Sequence, residues 1–201
     1  MPVFTHLING LSLQGDVRVD VPALLKNHGC PKTAEHVAQV AAEARRLAIR
    51  TGANPDQAEI AGWLHDVSAI IPNAERVSIA RQVGIDVLPE EERLPMILHQ
   101  KLSAVLGREL FSITDEAILS AVSCHTTLKK DASLLDKVVF VADKIAWDQD
   151  GEPPYLADVL AGLDDSIDHA ALAYMRYLWD QPLLVIHPWL REAYGQLSDE
   201  A

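Results

Sequence analysis

The sequence predicts an all-α fold, a helical bundle around a buried metal centre. Three observations lead there. Apolar residues recur at helical spacing in one segment after another, with capping residues at several of the starts. Aromatic residues are scarce, at 5%, while Ala and Leu abound, which favours helices over strands. Potential metal ligands, His36, His65, Asp66, His99, His125 and Asp143, stand at separated points in segments that read as helix, with apolar residues one turn away.

Residues 3 to 20 alternate loosely, through Leu11, Leu13, Val17 and Val19, and suggest a short hairpin around Gly15 and Asp16. Thr33 can cap a helix to Thr51. Val37, Val40, Ala41, Ala44, Leu47 and Ala48 share its inner face, His36 sits near that face, and Gly52 ends it. Asn54 as cap, Pro55 in the first turn and Gln57 closing a capping box start the next helix. It carries Ile60, Ala61, Leu64, His65 and Val67 and stops before Pro72. A short helix runs from Asn73 to Gly84. Residues 84 to 95, with Pro89, Pro95 and the acidic run Glu90 to Glu92, read as a solvated connection and nothing more. A helix from about Pro95 to Glu109 holds Leu98, His99, Leu102, Val105 and Leu106. Another, from Thr114 to about Thr126, sets Ile118, Ala121, Val122 and His125 on one face. After a polar break at Lys129 to Asp131, Ser133 caps a segment to Ile145 that is apolar almost all round, the mark of a central buried helix. Residues 148 to 155 form a loop, Ser166 to Trp179 is amphipathic, and 187 to 197 makes a terminal helix.

At 201 residues the chain can bury a substantial core, and 49% hydrophobic with 23% charged residues is ordinary globular composition. Its net charge of −12 repels a phosphate backbone, so long nucleic acid is excluded as a partner. A small phosphorylated ligand stays compatible, because a bound cation inverts the charge locally. Cys30 and Cys124 make no disulfide framework and read as reduced thiols of a cytoplasmic protein. The start lacks the pattern of a signal peptide, and no run approaches the roughly 18 to 20 apolar residues that cross a bilayer, so no membrane partner is expected. Association as a homodimer is left open.

Asp143, between Val139 to Ala142 and Ile145, is costly to bury without a cation or hydrogen-bond donors. A salt bridge to Lys137 or Lys144 is the ordinary alternative. Each imidazole alone reads as a hydrogen-bonded core histidine, and an adjacent His65 and Asp66 arise often by chance. Together, four imidazoles and two carboxylates suit Fe, Mn, Zn or Co rather than Ca or Mg, which prefer oxygen shells. The set exceeds what one hydrolytic metal needs. Two ions bridged by Asp66 use it better, activating water and holding a phosphoryl oxygen. Asp66 would orient the water or take its proton. Lys144, beside a ligand, Lys101, two residues after His99, and Thr126 are candidate phosphate contacts. His6, His28, His169 and His187 read as surface residues, and Cys124 as a packed small side chain.

The order His36, His65-Asp66, His99, His125, Asp143 resembles the HD-domain metal phosphohydrolases. More narrowly, Ile97 to His99, Leu102 to Leu106, Ile118 to Val122, His125 to Thr127 and Leu135 to Ile145 resemble the YqeK family, over roughly residues 24 to 180. The resemblance implies a single HD domain over 1 to 201, its core about 24 to 180, with 1 to 20 and 181 to 201 as extensions packed on it. It implies a metal centre, often iron, and symmetrical cleavage of diadenosine tetraphosphate to two ADP. His36, His65, Asp66 and Asp143 would form the core site, and His99 and His125 would complete a second. Three positions depart from the pattern: Ala69 replaces a Lys, Leu128 a Gly, and Ala146 to Gln149 an acidic-proline segment followed by Arg. Losing a Lys and an Arg removes cations that could hold phosphates. The alternatives are a nucleotide-binding regulatory HD module with little turnover, and a phosphomonoesterase acting on nucleoside monophosphates.

Overall fold

Eleven α-helices and four 3-10 turns follow one another in the computed structural model, which describes residues 3–147, 149 and 151–200; no strand occurs among them. The helices are α1 (Val17–Asn27), α2 (Pro31–Thr51), α3 (Pro55–Leu64), α4 (Arg76–Gln82), α5 (Pro89–Arg93), α6 (His99–Phe111), α7 (Glu116–Cys124), α8 (Leu134–Ile145), α9 (Leu156–Asp165), α10 (Ile167–Trp179) and α11 (Pro188–Glu200). No helix among the described residues is long and apolar enough to cross a membrane.

The helix starts follow from local chemistry. The Asn54 side chain accepts from the Asp56 and Gln57 N–H groups, and Ser133 and Asp136 form a reciprocal capping box at the head of α8. In α8, Val138, Val139, Phe140, Val141 and Ala142 are all buried, and the helix packs against α2, α3, α7 and α10. Helix α2 turns Val37, Val40, Ala44, Leu47 and Ala48 inward onto α3 and α8. One continuous apolar cluster runs from Phe4 to Leu197.

Three expectations are corrected or extended. No hairpin forms near Gly15. A 3-10 turn spans Thr5–Ile8, and α1 starts at Val17 under an Asp16 cap. Val17, Val21, Leu24 and Leu25 lie on one buried helical face, and this outweighs the loose alternation that ends at Val19. Helix α9 is a further element that sequence periodicity left unassigned. The expected loop at 148 to 155 falls partly outside the described residues, at Asp148 and Asp150.

The third correction is chemical. The segment 84 to 95 contains α5, and the Glu91 side chain is fully buried rather than solvated. Its carboxylate meets Lys101 Nζ at 2.8 Å and His187 Nε2 at 3.3 Å, so His187 is a buried partner and not a surface residue. The acidic run hid this, because a charge run is ordinarily solvated unless a distant segment brings its partners. Burial pushes the Glu91 carboxyl up, but His187, Lys101 and the Leu88 N–H outweigh it and hold the group below its ordinary 4.5. Its contribution to stability is therefore complete above that value and fades as pH falls through the lower folded one. Glu91→Gln is expected to cost about 1 kcal/mol, or about 2–4 °C in Tm, at pH 7. Thermal melts should show the gap to the parent protein closing as the buffer is taken below pH 4.5; a gap that is constant with pH would refute the assignment.

Candidate metal centre

Four imidazoles and two carboxylates from five places in the chain converge between α2, α3, α6, α7 and α8. His36 projects from α2, His65 and Asp66 follow the end of α3, His99 opens α6, His125 closes α7, and Asp143 lies in α8. His36, His65 and His125 are buried. His36 Nε2 is 3.1 Å from Asp143 Oδ1 and 3.3 Å from His65 Nε2, which is 3.5 Å from the same Asp143 oxygen. Asp66 sits between this trio and the other pair. Its Oδ2 is 3.7 Å from His65 Nε2, while its Oδ1 is 3.3 Å from His99 Nε2 and 3.6 Å from His125 Nε2. The latter two nitrogens are 2.9 Å apart.

Backbone carbonyls aim the rings. The Nδ1 atoms of His65, His99 and His125 donate to the carbonyls of Gly62, Met96 and Val122, each three residues earlier, at 2.7, 2.6 and 2.8 Å. That fixes the tautomer with the Nε2 lone pair turned to the centre, the arrangement a metal ligand needs. His36 lacks this support: its Nδ1 is buried with no hydrogen-bond partner among the described residues.

The donor set fits a transition metal. Ligands bound at about 2.1 Å lie roughly 3.0–3.4 Å apart at octahedral or tetrahedral angles, and most of the spacings above are close to this. With both Nδ1 atoms donating to carbonyls, the His99 and His125 Nε2 lone pairs face one another at 2.9 Å and repel unless a positive charge lies beside them. The carboxylates demand one as well. Burial opposes charge on His65, yet Asp66 and Asp143 raise it to about 9. Burial lowers His99 to about 4 and also lowers His125, so both are neutral, ligand-competent rings at pH 7. His36, His65 and Asp143 form one group able to hold an ion, and His65, Asp66 and His125 another.

Asp143 also makes the ion pair foreseen with Lys144, while Lys137 pairs with Asp168 instead. Lys144 lies with His36, Asp66 and Asp143 along a cleft of about 210 Å³. Thr126 Oγ1 is 3.0 Å from His99 Nε2 at the other end of the cluster. Lys101 does not join it: its contacts are Glu91, the Asp86 carbonyl at 3.2 Å and the Trp189 ring.

Supporting residues carried no sequence signal. Gln100, fully buried, accepts from the Thr126 and Thr127 N–H groups at 3.1 and 3.2 Å and so holds the turn after His125. Ser68 donates to the His99 carbonyl at 2.8 Å, and Arg76 donates to the Ile71 and Met96 carbonyls, the latter also the acceptor for His99. Each is a polar residue with at least one partner 20 or more residues away, so nothing local marks it.

A family model described as HD domain matches residues 33–148. The chain belongs to the HD-domain family. It is 46% identical over 144 residues to an uncharacterised protein in the pepC 5′ region of Lactococcus lactis subsp. cremoris, covering 72% of this chain and 74% of that one. It is 33% identical over 112 residues to the symmetrical bis(5′-nucleosyl)-tetraphosphatase of Bacillus subtilis, covering 55% of this chain and 59% of that one. A crystal structure of a predicted HD superfamily hydrolase involved in NAD metabolism, from Clostridium acetobutylicum, superposes with a TM-score of 0.81 at 25% identity, over 90% of this chain and 96% of that one. The chain is thus an HD superfamily hydrolase, of a metal-dependent family, with His and Asp groups placed to bind metal.

One departure from the YqeK pattern now has a structural account. Leu128 adopts φ 53, the left-handed region a glycine enters freely. Its side chain is fully buried and its N–H reaches the Cys124 carbonyl at 2.7 Å, so packing holds a conformation that Leu alone would avoid.

Proposed function

We propose that this HD hydrolase cleaves a phosphoanhydride bond of a nucleotide, with a dinucleoside polyphosphate such as diadenosine tetraphosphate as its substrate. The observation that carries this is the convergence of six donors beside a cleft that also holds Lys144. His36, His65, Asp66 and Asp143 would hold one divalent ion, with His99 and His125 completing the site of a second; iron is our choice, with Mn, Zn or Co as alternatives. When bound, such ions lower the pKa of water and neutralise charge on a phosphoryl group. The chain supplies the rest. Asp66, facing both groups of imidazoles, orients the attacking water and accepts its proton. The Lys144 ammonium, fixed by Asp143, meets the phosphate negative charge, and the Thr126 hydroxyl donates to a phosphoryl oxygen. The free thiols of Cys30 and Cys124 suit a cytoplasmic setting, and the continuous core suits one domain.

The test is metal content after aerobic and anaerobic purification, followed by a nucleotide panel with Fe or Mn added. Diadenosine tetraphosphate yielding only ADP is the expected outcome, with loss of turnover on chelation and recovery on adding metal back. Turnover of nucleoside monophosphates alone would move the assignment to a phosphomonoesterase. Tight metal binding with no turnover of any phosphate compound would leave a binding module.

A further inference from the structure

The cleft beside the metal centre is lined by two unlike sets of side chains, His36, Asp66 and Asp143 on the one hand and Lys144, Trp147, Tyr155 and Tyr174 on the other. Every polar side-chain group of the second set can donate: an ammonium with three N–H bonds, an indole N–H, and two hydroxyls. In a chain of net charge −12, a cleft-lining set of donors is an unusual local environment. The Trp147 Nε1 atom is buried with no hydrogen-bond partner among the described residues, a state that native proteins generally avoid.

The second set is built rigidly. The Trp147 and Tyr155 rings meet edge to face, with centroids 5.9 Å apart at 82°, and Tyr155 meets Tyr174 in the same way at 4.8 Å and 77°. Lys144 Nζ lies 5.3 Å from the centroids of both Phe140 and Tyr174, which keeps the ammonium beside the hydroxyl-bearing ring. Tyr155 stands edge-on to both the Trp147 and the Tyr174 ring, so it forms a parallel stack with neither. What they offer is donors for oxygen.

We propose that Lys144, Trp147, Tyr155 and Tyr174 form a subsite for the phosphate next to the one attacked, so that the cleft selects a phosphoanhydride chain over a monophosphate. The proposal rests on the reading above that a phosphoryl group is attacked at the metal centre. Trp147 stands within the stretch where the YqeK pattern has its acidic-proline segment and Arg. Neutral donors on a rigid aromatic frame, with Lys144, here take over the phosphate-holding task.

The test is calorimetric titration of the manganese-reconstituted protein with imidodiphosphate, a non-hydrolysable two-phosphate chain, and with inorganic phosphate. We expect a preference of about 10² for imidodiphosphate, falling about tenfold in Trp147→Phe and about tenfold in a separate Tyr174→Phe variant, since each removes one donor to a charged oxygen. Tyr174→Phe keeps the ring and Trp147→Phe keeps a smaller aromatic one, and metal content and Tm measured on the same samples identify any variant that has lost its fold; the other variant then decides. An unchanged preference in the folded variants overturns the subsite. Nucleotide hydrolysis, assayed separately, distinguishes the two levels. A preference that falls as expected in a protein with no turnover overturns the proposed function and retains the subsite, while turnover with an unmoved preference does the reverse.

Discussion

Asp66→Asn is expected to lower nucleotide hydrolysis by about 10²–10³-fold, the scale for removing one preorganised electrostatic contact from a site. The change preserves shape and removes charge. In the parent protein burial pushes the Asp66 carboxyl up, but the facing His65, His125 and His99 outweigh it and keep the group ionised. Among the described residues Asp66 is the one carboxylate in contact with both sets of imidazoles, at 3.7 Å from His65 and 3.3 Å from His99. An amide there offers one oxygen and turns N–H donors towards nitrogen lone pairs, so cation affinity should fall along with turnover. Metal content by elemental analysis checks the first effect and product formation the second. The fold should persist, because Asp66 is partly exposed and outside the apolar cluster. A variant with the parent's metal content and rate would remove Asp66 from the centre.

Much of this candidate centre was legible in the sequence, because its residues sit on helices or directly at their ends, and the apolar faces of those helices announce which way they point. His36 is one residue before Val37, Asp143 lies one after Ala142, and the inner faces of α2 and α8 are unmistakable. What periodicity cannot supply is the partner of a polar group. Glu91 and Lys101 both read as ordinary charged residues in sequence, yet they neutralise one another, and Lys101 is thereby engaged away from the cluster. Lys144 and Lys137 show the same limit. Both were available to Asp143, and only the turn of α8 gives Lys144 to Asp143 and Lys137 to Asp168. Trp147 and the two tyrosines come from the end of α8, the turn before α9 and α10, which no local pattern joins.

A close backbone approach between α2 and α3 lies beside the centre. A Cβ at Gly62 would lie 2.5 Å from Ala41 Cα and 2.8 Å from Ala41 N, which are backbone atoms of α2 that cannot rotate aside. Gly62→Ala must therefore push α2 and α3 apart. It is expected to cost about 2–3 kcal/mol, the upper part of the range for overpacking, and to lower Tm by about 4–12 °C. The damage should not stop at stability. Helix α2 carries His36, α3 leads directly into His65, and their Nε2 atoms are 3.3 Å apart; the Gly62 carbonyl is itself the acceptor that orients His65. A shift of about 1 Å between reacting or ligating groups can cost about 10²-fold in rate, so residual activity and metal content should fall together even in protein that remains folded at the assay temperature. Gly107→Ala is the control. Its Cβ would meet Leu119 Cδ2 at 3.5 Å and Leu64 Cδ1 at 3.6 Å, ordinary contacts, and in a helix the change should be neutral or gain up to about 1 kcal/mol. If both variants melt with the parent protein, the close approach of α2 and α3 is not what sets the spacing of His36 and His65.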